Sequence, residues 1–349
     1  MSVHINLTDA ELRPSIEFID FLERWISKEP FDGTSWSERG RERVGTERRA
    51  SRQDVRERTA RLIDGDEGER YVARAYELFV ALLIGDEATL NTVHARFRFI
   101  PVVGIPRSGG KYLTKQLLRA HGYDPKTVPE VLGHDGFPHA GPWRFGVSGN
   151  GWTRSLQAMA EYLTMVELFF ACDQIATVPK KATKAVYAAG LFRTALGAPD
   201  EGLITVRHPV PSCVSTYETA GGLPPGGRFA VRGNIERSCE SELMSLGFSR
   251  AELCRMDYFD AYLRYWENYQ VRLAMGSAVI AREPRVLAFG AERYLARVTH
   301  PSIEEFHVRD RHPLRPDWME KSEHALRRVA EQWERVGLEF PVTDVNAAL

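Results

Sequence analysis

The segment Gly104–Leu113, GIPRSGGKYL, follows an apolar, β-rich run (Phe97–Gly104) and precedes leucines at helical spacing. A glycine-containing turn between strand and helix aims backbone N–H groups and the positive helix end at one point, which suits a phosphate. The loop departs from the Walker A pattern in two ways. Gly110–Lys111 falls one residue too far from Gly104, and Tyr112 stands where a Mg²⁺-binding hydroxyl belongs. An ordinary nucleotide kinase or ATPase is therefore disfavoured.

A second constellation lies in Leu203–Tyr217, LITVRHPVPSCVSTY. Arg207 ends an apolar strand pattern and Ser215 follows eight residues later, in the first turns of a helix. Ligands of open α/β sheets bind beyond such strand ends. A guanidinium fork and a hydroxyl there can share one phosphate. Alone, an arginine at a strand end is more often an ordinary surface or ion-pair residue; beside the first loop Arg207 becomes an anion-site candidate.

These two motifs resemble those of sulfotransferases that use 3'-phosphoadenosine 5'-phosphosulfate (PAPS). Pro106-Arg107-Ser108-Gly109 is similar to the family's PRSGTT-type loop for the 5'-phosphosulfate. Arg207 with Ser215 is similar to its R-x7-S motif for the 3'-phosphate. Lys181 (26 residues before Arg207), Tyr265-Trp266, the stretch Arg285–Leu295 and the C-terminal DWMEKSEHALRRVAEQ also resemble family features. The resemblance covers residue 97 to the end. It implies a PAPS-dependent transferase of a sulfuryl group to a hydroxyl or amine of a small molecule, with the 3',5'-bisphosphate nucleotide released and no metal required. The expected nucleotide contacts are Arg107, Ser108, Gly109, Gly110, Lys111, Tyr112, Arg207 and Ser215.

Gly110-Lys111 replaces the family's two threonines. Lys111 either compensates with its charge or joins Lys115 and Arg119 on a solvated stripe. Tyr112 either packs on adenine or belongs to the core. Sulfuryl transfer also needs positive charge at the leaving oxygen and a base for the acceptor. Arg107 fits the first need. The resemblance points to Glu130 as base, with His134, four residues on, as the other candidate. Asp135 and His139 are weaker. Lys181 is expected to approach the sulfuryl group or to pair with a carboxylate. His208 is expected to face the core or cap a helix. Two other readings stay open: a P-loop phosphotransferase, and a degenerate relative that binds nucleotide without transferring sulfate.

The elements that must position these groups follow from patterning. The chain has 349 residues, 43% hydrophobic and 27% charged, so a globular fold is expected rather than disorder. The net charge of -1 gives no field for nucleic acid or an anionic membrane. Of 46 basic residues only eight are lysines, and six of those lie between Lys111 and Lys184. The four cysteines form no CxxC pair and no zinc-like spacing. No leader pattern or spanning apolar run is seen, so a cytoplasmic location with free thiols is expected.

Residues 1–95 read as a helical extension, with a capping box at Thr8 and Glu11, that covers the active site or forms a homodimer contact. Residues 96–349 read as an α/β domain. Strands are expected at 97–104, 175–178, 203–207 and 285–289, and helices at 111–121, 153–170, 185–196, 212–219, 250–274 and 321–336. That alternation predicts a mainly parallel central sheet flanked by helices. Two glycine-rich loops, 127–151 and 221–233, are long enough to carry function. Aromatic residues of the first and of the position just after it, Trp143, Phe145 and Trp152, are expected to shape an acceptor pocket.

Overall fold

The computed structural model describes residues 14–31, 52–134, 149–290 and 315–349. In chain order the described elements begin with helices α1 (Ile16–Ile26), α2 (Arg52–Ile63), α3 (Asp66–Ile84) and α4 (Glu87–His94). Strand β1 (Phe97–Gly104) leads through a tight loop into α5 (Gly110–Ala120), followed by the short α6 (Glu130–Gly133) and the long α7 (Gly149–Phe169). Then come β2 (Ala176–Lys181), a 3₁₀ turn (Thr183–Tyr187), α8 (Ala189–Ala195), β3 (Glu201–Val206) and α9 (Pro209–Thr219). The chain closes with α10 (Asn234–Ser245), α11 (Arg250–Arg255), α12 (Tyr258–Ile280), β4 (Glu283–Ala288), α13 (Pro316–Glu334) and α14 (Val342–Ala347).

The four strands form one all-parallel sheet in the order β2-β1-β3-β4. Parallel strands need helical crossovers that cover both faces, which is why β1 and β3 read as nearly unbroken apolar runs. Seven of the eight β1 residues are buried. Val102, Val103 and Gly104 pair with Leu203, Ile204 and Thr205, so β1 and β3 end side by side. Side chains of Ile100, Val102, Leu203 and Leu287 meet Leu113 and Leu117 of α5 in one core cluster.

Contacts divide the chain into two compact units, and neither is the segment 1–95 alone. One comprises Met1–Phe99, His121–Lys180 and Leu191–Ala198; the other comprises Ile100–Ala120, Lys181–Gly190 and Pro199–Leu349. In the first, α3 packs on α7, and α1 buries Ile16, Phe18, Ile19, Phe21 and Leu22. Ser15 caps α1 in the described structure; Thr8 and Glu11 lie outside the described residues. In the second, α12 packs on α13, α10 and the 3₁₀ turn.

Three patterns resolve differently from the sequence expectation. The helix expected over 250–274 is two, because Asp257 accepts from Phe259 N at 2.9 Å and starts a new helix. The helix expected over 185–196 divides into the 3₁₀ turn and α8. Helix α10 was not legible, because its buried face carries Glu236 and Glu242. Tyr258 Oη donates to Glu236 at 2.9 Å and Arg272 Nε to Glu242 at 2.8 Å, so both carboxylates are satisfied inside. Among the described residues no helix is long and apolar enough to cross a membrane.

Candidate functional site

The second unit holds the loop and both residues of the R-x7-S pattern. β1 ends at Gly104, where only glycine fits: a Cβ would collide with the Thr205 carbonyl and hydroxyl and come within 2.7 Å of Ser108 Oγ. The loop then closes on itself. Ser108 N and Oγ both donate to the Ile105 carbonyl, at 3.2 and 2.7 Å. With that proton committed, Ser108 Oγ accepts from Thr205 Oγ1 at 2.8 Å. Ser108, expected as a nucleotide contact, is 1% exposed; its hydroxyl braces the loop against β3 rather than facing a ligand.

Arg107 and Gly109 both have positive φ, 74° and 85°. The left-handed region costs a non-glycine residue on the order of 1 kcal/mol, and such strain clusters at functional sites. Here it turns the Arg107 side chain outward, exposed to solvent, while α5 starts at Gly110 with its positive end at the loop.

Arg107 and Arg207 meet. Arg207 Nη1 donates to the Arg107 carbonyl at 3.1 Å, and Arg107 Nε donates to Ser215 Oγ at 2.8 Å. The half-buried Arg207 guanidinium lies 4.5 Å from the Phe289 ring centroid, and its own carbonyl accepts from Trp266 Nε1 at 3.1 Å. Side chain and backbone of Arg207 are thus both oriented. His208 does both things expected of it: it is 1% exposed, and its Nδ1 accepts from Val210 N at 3.2 Å to cap α9. Burial, with the Arg207 charge as the lesser cause, lowers its pKa to about 4. The helix carrying Ser215 therefore starts on a neutral imidazole.

Lys181 enters this unit from the end of β2. It is buried, its Nζ donates to Thr183 Oγ1 at 2.5 Å, and Tyr269 Oη donates to the Thr183 carbonyl at 2.7 Å. A Cβ on Gly110 would stand 3.3 Å from Lys181 Cε, so the lysine stem runs past the position where the resembled family carries a threonine. Lys111, Lys115 and Arg119 are all half-buried. Tyr112, also half-buried, packs on the Ile100–Leu113 core cluster alongside Phe289, which favours its structural reading.

Glu130 and His134 belong to the first unit. Pro129 precedes the single helical turn α6, and His134 N donates to the Glu130 carbonyl at 2.8 Å. His134 Nδ1 and Glu130 Oε1 are 3.6 Å apart, with side chains 26% and 13% exposed. The two alternative bases therefore form one carboxylate–imidazole pair. Asp135, His139, Trp143 and Phe145 lie outside the described residues, as does the Trp152 side chain.

The 221–233 loop is anchored: Phe229 is buried against Tyr258, its N–H donates to the Met256 carbonyl at 3.0 Å, and Arg232 donates to the Gly222 carbonyl. Sequence reasoning missed Thr205 and Thr183 as braces. Thr205 was findable, since a hydroxyl inside an apolar parallel strand needs a partner. Comparison with family models, with curated proteins and with solved structures finds no match.

Proposed function

We propose that this chain is an enzyme that transfers a sulfuryl group from PAPS to a hydroxyl or amine of a small-molecule acceptor. The observation that carries this reading is the adjacency of two anion-binding motifs far apart in sequence: Arg107 bonds Ser215, and Arg207 bonds the Arg107 carbonyl. A nucleotide with phosphates at both 3' and 5' positions matches such a pair. Arg207 and Ser215 would receive the 3'-phosphate. The α5 start with Gly109 and Gly110, the Arg107 guanidinium, Lys111 and Lys181 would receive the 5' end.

The acceptor oxygen or nitrogen forms a bond to sulfur as the bond from sulfur to the bridging phosphate oxygen breaks. The acceptor proton passes to a general base, the role that the resemblance gives to Glu130 or His134, and the electron pair leaves on the nucleotide as 3',5'-bisphosphate. Charge grows on the departing oxygen, where fixed cations act most. Ser215 Oγ accepts from Arg107 Nε, and its own O–H can donate to a 3'-phosphate at the same time, so one hydroxyl ties the two motifs to one ligand. The free thiols, two of them exposed, suit a reducing compartment such as the cytoplasm.

The reading is tested by incubating the chain with ³⁵S-labelled PAPS and a panel containing a phenol (2-naphthol), a sugar, a sterol and an aliphatic amine. Label transfer to one class identifies the acceptor. Nucleotide binding with no transfer to any class favours the degenerate relative, and binding of Mg²⁺-ATP in preference to the bisphosphate favours the phosphotransferase.

A further inference from the structure

Lys180, the neighbour of Lys181 in β2, is fully buried. Its Nζ donates to the carbonyl oxygens of Val131 at 2.6 Å and His134 at 3.2 Å, and lies 4.3 Å from the centroid of the Tyr162 ring. Taking an ammonium out of water is strongly unfavourable unless other groups replace its hydration. Here two carbonyl dipoles and an aromatic face do so. A methionine would fill the same space in a buried strand without that cost, so the charge itself has a use.

The carbonyls it holds show what that use is. Val131 and His134 lie within and immediately after α6, a four-residue helix. One turn has too few internal hydrogen bonds to hold its own shape. We propose that Lys180 is a positioning residue: its ammonium fixes the Glu130–His134 turn and with it the orientation of the carboxylate–imidazole pair. Adjacent strand residues point to opposite faces, so Lys181 turns the other way and donates to Thr183. One basic dipeptide thereby does two separate jobs. The catalytic consequence rests on the Glu130–His134 pair being the base; the mechanical part does not.

The test uses the full chain and two independent readouts. In hydrogen–deuterium exchange, Lys180→Met should speed exchange at the amides of residues 131–134 by about tenfold or more. Lys180→Arg should restore protection, and Lys181→Met should leave it unchanged. Unaltered exchange there in a folded Lys180→Met protein overturns the proposal. In turnover with PAPS and 2-naphthol, normalised to bound adenosine 3',5'-bisphosphate, Lys180→Met should lower kcat about tenfold or more with KM for PAPS nearly unchanged. Full kcat in Lys180→Met, where Glu130→Gln or His134→Ala is impaired, also overturns it. If those two variants are fully active, the base assignment fails while exchange still judges Lys180. Should Lys180→Met not fold, ¹⁵N-lysine spectra of the unaltered chain decide: a protected ammonium signal at pH 7, absent in Lys180→Arg, is expected, and a fast-exchanging or neutral amine contradicts it.

Discussion

Arg207 Nη1 reaches the backbone carbonyl of Arg107 across 3.1 Å, so the residue that follows β3 holds the left-handed residue of the β1–α5 loop. The arrangement exists because β1 and β3 pair in parallel, with Gly104 opposite Thr205, and therefore end together. Loops leaving neighbouring strand ends of a parallel sheet fall beside each other. A hundred residues of sequence separation are closed by three residue pairings.

Replacing Arg207 should cost both functions of its guanidinium. Arg207→Ala is expected to weaken binding of adenosine 3',5'-bisphosphate by about 10- to 150-fold, the usual range for a charge-assisted contact. Titration calorimetry measures this, and circular dichroism checks that the fold persists. Arg207→Lys should recover little, because a point charge cannot bond the Arg107 carbonyl and a phosphate in the same fork geometry. Unchanged affinity in the alanine variant would remove Arg207 from the site.

Ser215 should report the 3'-phosphate specifically. Its hydroxyl accepts from Arg107 at 2.8 Å and is half-buried at the same point. Ser215→Ala is expected to shrink the affinity ratio between adenosine 3',5'-bisphosphate and AMP, with AMP affinity itself little changed. A ratio equal to that of the unaltered chain assigns Ser215 no part in recognition.

The Glu130–His134 pair should separate binding from turnover. Glu130→Gln and His134→Ala are each expected to retain affinity for the bisphosphate while lowering sulfuryl transfer by about 10²-fold or more. The more damaged variant identifies the group that takes the proton, the other being its orienting partner at 3.6 Å. Full activity in both would place the base elsewhere.

Acid should destabilise the fold through His208. Its pKa in the folded chain is depressed to about 4 from the usual 6.5, chiefly by burial. Above pH 6.5 both folded and unfolded forms are neutral. As pH falls from 6.5 to 4 the unfolded chain binds the proton first, so stability is lost across that window, by about 3 kcal/mol in all. His208→Asn keeps a capping side chain and removes the titration. Chemical denaturation of the two proteins between pH 7.5 and 4 should show the unaltered chain losing ground to the variant; parallel curves would mean that His208 stays solvated.

Much of the α/β architecture was legible because parallel strands buried on both faces leave apolar runs that end in glycine or arginine. Val102–Gly104 and Leu203–Val206 are such runs, and their ends locate Arg107 and Arg207. What was hidden depends on tertiary partners. Ser108 looks like a ligand contact in the sequence, yet Thr205, 97 residues on, turns it inward. Lys180 and Lys181 are adjacent in sequence, while strand alternation gives them different partners. Helix α10 lost its amphipathic signature because Glu236 and Glu242 are buried with Tyr258 and Arg272. The grouping of 121–180 with the N-terminal helices has no local signal, since only packed contacts define it.

The most direct measurement is the binding preference among three nucleotides: adenosine 3',5'-bisphosphate, AMP and Mg²⁺-ATP, each titrated into the full chain by calorimetry. A site in which the Arg107 loop and the Arg207–Ser215 pair serve one PAPS-type nucleotide should bind the bisphosphate at least about tenfold more tightly than AMP or Mg²⁺-ATP. Equal affinity for the bisphosphate and AMP, or tighter binding of Mg²⁺-ATP, would contradict it.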